Sequence, residues 1–130
     1  MQGRAEGRRK AARHADATEG AVRYFLEFVR DNPEAFLVGV RELHSAHSPM
    51  RAVLQDMIER IAAESVEQIV ERDLVPGVGR EALLAATRAV TYLMFYRALD
   101  YLEQPRRRSA IAEELVWTIR AVFLGARRKI

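Results

Sequence analysis

Three histidines, His14, His44 and His47, are the side chains best suited to metal or acid–base chemistry in a chain that has no cysteine. His44 and His47 stand three apart at the end of a helical pattern, a spacing that can bring two imidazoles near one metal ion. No cysteine joins them, and no Glu-x-x-His pair occurs in the sequence, so a di-iron carboxylate bundle lacks its ligand set. A cap-and-turn role asks less of these residues, and no metal or cofactor is expected. Val75-Pro76-Gly77-Val78-Gly79 has neither the Lys-Ser/Thr nor the strand context of a phosphate loop. No Ser-His-Asp arrangement suggests itself, and the carboxylates fall mostly on solvated helix faces beside arginine. The expectation is a protein that is not an enzyme.

What remains is apolar. Tyr24, Phe28, Phe36, Leu37, Val40, Leu54, Met57, Ile58, Ile61, Tyr92, Met94 and Tyr96 place wide, soft or aromatic side chains on consecutive helical patterns. Such residues build either a plain core or the wall of a small-molecule pocket. Few polar groups are placed to orient a ligand: Arg41, Glu42, Arg51, Thr87, Thr91 and Arg97. Arg97 interrupts an apolar run, and snorkelling at a bundle rim or pairing with Asp100 accounts for it equally well.

The elements that must hold these residues are helices. Two polar-proline pairs, Asn32-Pro33 and Ser48-Pro49, punctuate the stretch 24–61. Asn and Ser cap helix starts through side-chain oxygens, and proline is tolerated at the first helical position. The pattern predicts helices over residues 18–30, 33–44, 49–72, 80–103 and 107–128, with a loop at 75–79. Residues 1–17 contain no large aliphatic residue after Met1 and read as a frayed basic tail, or remnant of a linking helix, running into helix-prone residues around 8–15, leaving 18–130 as one all-α antiparallel bundle.

The last two helices carry apolar residues on more than one face. In the final helix Ile111, Leu115, Ile119, Val122 and Phe123 make one stripe, and Ala110, Trp117, Ala121 and Leu124 make a second. A surface helix of a small monomer needs a single stripe of about 100°. The second stripe, together with Leu99 and Leu102, predicts a twofold homodimer built on this helix pair.

Composition is that of a globular protein: apolar residues make up 49% of the 130 positions, enough for a core without disulfides. No apolar run reaches the ~18 residues of a membrane span, and the Arg-rich start is not a secretory signal. A cytoplasmic location and no membrane partner are expected. The formal net charge of +3 is concentrated in Arg4, Arg8, Arg9, Lys10 and Arg13, in Arg106, Arg107 and Arg108, and in Arg127, Arg128 and Lys129. Three separate clusters read as solvated helix ends rather than one nucleic-acid stripe.

Phe25-Leu26-Glu27-Phe28, Asn32-Pro33, Ala35-Phe36, Arg41-Glu42, Ser48, Arg51 and the acidic-aliphatic run to Ile61 resemble the C-terminal domain of TetR-family transcriptional regulators. The resemblance covers about residues 18–128 and is strongest to the branch that represses fatty-acid synthesis and desaturation genes. It implies a homodimer through the last two helices and a cavity for a fatty acyl effector such as an acyl-CoA. Tyr24, Phe28, Phe36, Val40, Leu54, Met57, Ile61 and Met94 would line that cavity, with Arg41 and Arg51 meeting polar or phosphate groups near its mouth. Such regulators begin with a three-helix DNA-reading head, which residues 1–17 cannot form. DNA binding by this chain as written is therefore not expected unless a head is supplied. Two alternatives stay open. One is a headless interaction module, with a packed core, that heterodimerises with a full-length regulator. The other is a nucleic-acid binder using its basic ends, whose affinity would fall steeply with salt.

Overall fold

Proline and small polar residues divide the chain where the sequence places them. The computed structural model describes residues 2–127, with side chains from residue 17 onward. Five α-helices follow one another: α1 (Gln2–Asp31), α2 (Pro33–Leu43), α3 (Pro49–Glu71), α4 (Arg80–Glu103) and α5 (Arg108–Ala126), with a 3₁₀ turn at Pro105–Arg107. The described residues form an all-α bundle. The side chains of Arg4, Arg8, Arg9, Lys10, Arg13 and His14, and residues Arg128 and Lys129, lie outside the described residues. None of the described helices is long and apolar enough to cross a membrane.

The first helix differs from its sequence expectation, since it runs from Gln2 rather than from residue 18. Alanine, arginine, lysine and glutamate are strong helix formers, and no proline precedes Pro33, so propensity alone carries the helix through a segment without apolar marks. Asn32 is a second correction. Its side chain makes no cap bond to α2; instead Nδ2 donates to the Phe28 carbonyl at 3.0 Å and ties off the end of α1. Ser48 behaves as expected: its Oγ accepts from the Met50 amide at 3.1 Å. That hydroxyl also donates to Glu42, which pins the α2–α3 turn.

Helix α3 closes in a Schellman arrangement. Asp73 takes φ 50°, the Leu74 amide reaches the Ile69 carbonyl at 3.0 Å, and the Asp73 amide reaches Val70 at 3.2 Å. The chain then reverses through Gly77, at φ 82°, into α4. Glu67 pairs with Arg80, and Glu59 with Arg88 at 2.6 Å. Partner numbers rise on one helix as they fall on the other, so α3 and α4 are antiparallel. In each pair the carboxylate holds its arginine above the ordinary pKa, first by hydrogen bonding and then by charge.

The core is one cluster. Val22, Leu26 and Val29 of α1 meet Phe36 and Val40 of α2, Leu83, Val90 and Ala98 of α4, and Ile111, Leu115, Ile119 and Phe123 of α5. Fully burying a side chain such as Leu115 contributes about 1.5–3 kcal/mol. Helix α4 is central, packing against α1, α2, α3 and α5, while α5 also packs on α1. Helices α1 and α3 do not pack on each other. They stand on either side of α4, and α2, which touches α1, α3 and α4, closes the arrangement.

Candidate ligand cavity

Because α1 and α3 stay apart, the inner faces of α1, α2, α3, α4 and α5 enclose a space of about 790 Å³. That is the range of small-molecule sites, which run from about 300 to 1,000 Å³. Helical spacing selects the wall. On α1 it is Ala17, Thr18, Ala21, Tyr24, Phe25 and Phe28; on α3 it is Leu54, Met57, Ile58, Ile61, Ser65, Gln68 and Ile69. Helix α2 gives Ala35, Phe36, Gly39 and Leu43, α4 gives Thr87, Val90, Thr91, Met94 and Phe95, and α5 gives Ile119 and Phe123.

One part of the wall is aromatic. Phe25 stands edge-on to Phe36 at 6.2 Å, Phe36 stacks on Phe95 at 5.7 Å, and Phe25 lies 5.2 Å from Phe95. Tyr24 (77% exposed) and Phe28 on α1 face the opening together with Met57 and Ile61 on α3. These four large apolar side chains make its lips.

The described wall residues include no charged side chain, and their polar members are Thr18, Ser65, Gln68, Thr87 and Thr91. Ser65 Oγ donates to the Ile61 carbonyl at 2.8 Å and Thr91 Oγ1 to the Thr87 carbonyl at 2.7 Å. Thr87, 5% exposed, has a buried Oγ1 with no hydrogen-bond partner.

The sequence-derived set divides on this wall. Tyr24, Phe28, Phe36, Leu54, Met57, Ile61 and Met94 all lie on it, and Val40, Arg41 and Arg51 do not. Val40 is buried in the core cluster. Arg41, about 100° further round α2, is exposed. Arg51 sits in the first turn of α3, ahead of the stretch from Leu54 onward that meets the cavity. Phe25, Gly39, Phe95, Ile119 and Phe123 are wall residues absent from that set. Gly39 carried a usable signal: it leaves a gap within an otherwise bulky apolar helix.

The other candidate groups fall elsewhere. Arg97 pairs with Asp100 on its own helix and with Glu114 of α5 at 2.7 Å, so it bridges helices and does not meet the cavity. His44 caps the C-terminus of α2, His47 is exposed nearby, and no group of three or more His, Cys, Asp or Glu residues converges among the described residues.

On the outward face of α5, Ala110, Trp117 (70% exposed), Ala121 and Leu124 are all exposed. Leu99 and Leu102, named with them from the sequence, are half-buried and pack partly against the core cluster. The outward residues of α4 are instead Ala85, Ala89 and Tyr96, each falling on the side opposite Leu83 and Val90 at 100° per residue. A second groove, about 510 Å³, lies between α1 and α5. Its rim alternates Glu19, Arg23, Glu27, Arg30, Glu113 and Arg120 around Trp117. No protein-family model matches the chain, and no solved structure matches it significantly.

Proposed function

We propose that this chain is the effector-sensing and dimerisation domain of a TetR-like transcriptional regulator of lipid metabolism, acting in the cytoplasm. Its cavity takes the apolar chain of an acyl ligand, and two copies associate through the outward faces of α4 and α5. The observation that carries this reading is the 790 Å³ space with apolar walls between α1 and α3. An interaction module with a packed core would have no such space, which favours sensing over that alternative. Tyr96 on α4 and Trp117 and Leu124 on α5 are large and exposed, and this association would cover them.

The test combines two measurements on the full chain. Dodecanoyl-CoA or dodecanoate at about 100 times its dissociation constant should stabilise the fold by about 2.7 kcal/mol, read as a rise in melting temperature. Sedimentation velocity should show a dimer. A monomer that no acyl ligand stabilises would end the proposal.

A further inference from the structure

The described wall of this cavity offers an occupant no charge to pair with. Among the described residues no Lys, Arg, His, Asp or Glu stands on the wall, and the two arginines with which the sequence would meet an anionic headgroup, Arg41 and Arg51, lie off it. An ionised carboxylate drawn into such a space loses its hydration and gains no counter-charge. A neutral oxygen is a different matter. Thr87 stands in the wall on the central helix, nine-tenths buried, with a hydroxyl that nothing in the fold satisfies. Buried hydroxyls are rarely left in that state. The neighbouring hydroxyls of Ser65 and Thr91 are already committed to backbone carbonyls. The Thr87 Oγ1 is closed off from the space, so a ligand reaches the hydroxyl through the exchange of Cγ2 and Oγ1 between the two χ1 rotamers that threonine takes in a helix.

We infer that the cavity selects amphiphiles whose buried end is uncharged, and that Thr87 hydrogen-bonds a hydroxyl or keto oxygen carried at or near that end. The inference rests on the proposed cavity reading and narrows its ligand class. A charged headgroup, a carboxylate or the thioester-linked head of an acyl-CoA, stays at the lips formed by Tyr24, Phe28, Met57 and Ile61.

Matched twelve-carbon ligands separate the possibilities. N-phenyl-1-naphthylamine, a neutral fluorescent probe, is bound to the full chain at pH 8 and displaced by dodecanoate, 12-hydroxydodecanoate or dodecanedioate. Dodecanoate can leave its one charge at the mouth, whereas the diacid must bury a charge or stay out. The diacid is expected to bind at least ~100-fold more weakly than dodecanoate. The hydroxy acid should bind at least as well as dodecanoate. In Thr87→Val its affinity should drop about 3- to 10-fold while dodecanoate is unaffected, and Thr87→Ser should restore it. A diacid within about threefold of dodecanoate overturns the charge exclusion. Equal loss for both monoacids in Thr87→Val overturns the role of Thr87. A chain that takes up neither the probe nor dodecanoate overturns the cavity reading itself, a failure distinct from the other two.

Discussion

Gly39 allows the cavity to be tested from the inside. It lies within α2 and on the cavity wall, and a Cβ built there meets nothing within 4 Å. Glycine in a helix interior costs about 1 kcal/mol relative to alanine. Gly39→Ala should therefore stabilise the ligand-free chain by about that amount, a rise of about 3–6 °C in melting temperature for a domain of this size. Gly39→Leu adds three further carbons that project into the space. At ~0.8 kcal/mol per buried CH₂, an upper bound where the cavity stays wide, they add at most about 2 kcal/mol. Those carbons occupy room that a bound chain would otherwise fill. The same increment predicts that dodecanoate binding weakens about 30-fold in Gly39→Leu and little in Gly39→Ala. Circular-dichroism melts and probe displacement on the three proteins read both effects. Leucine that destabilises relative to alanine yet leaves dodecanoate affinity unchanged would refute the reasoning, because the side chain would then be clashing where the space should be.

The remaining tests address the core, a cap and the outward face. Leu115→Ala removes a side chain that is 1% exposed and should cost about 2–5 kcal/mol in urea unfolding. Ser48→Ala loses the bond to the Met50 amide and should cost about 0.5–2 kcal/mol, with the loss visible as faster hydrogen exchange in the first turn of α3. Trp117→Glu places a charge in the outward face of α5. It should convert dimer to monomer in sedimentation at an unchanged monomer melt, whereas a dimer that survives it does not use this face.

The fold was readable where punctuation and periodicity agree. Helix α4 has the bounds expected for it, Arg80–Glu103, because Gly79 and Pro105 mark both ends of an apolar run. Helix α1 was readable from residue 18 onward and its earlier turns only as helix-prone residues around 8–15, because a segment rich in Ala and Arg has propensity without apolar periodicity. Asn32 misled for a local reason: one side chain between two helices can serve the end of the first or the start of the second. The cavity was readable by face and less so by depth. Phe36 and Val40 share a stripe of α2 and both join the core, yet only Phe36 also meets the cavity, a division that depends on how far α1 and α3 stand apart. No sequence period encodes that separation.

The gap between α1 and α3 also has a mechanical consequence. Helix α1 is anchored against α5, where Glu19 meets Arg120 at 3.1 Å, and it carries Tyr24 and Phe28 at the cavity lips. From Tyr24 back to Gln2 the helix extends about 33 Å at 1.5 Å per residue. Seating a chain against Tyr24 and Phe28 presses on the short arm of a rod whose long arm runs back to Gln2. A tilt of only ~5° about the cavity level would carry the far end through about 3 Å. Among the described residues α1 makes no packing contact with α3, so a displacement too small to disturb the core is magnified along the helix.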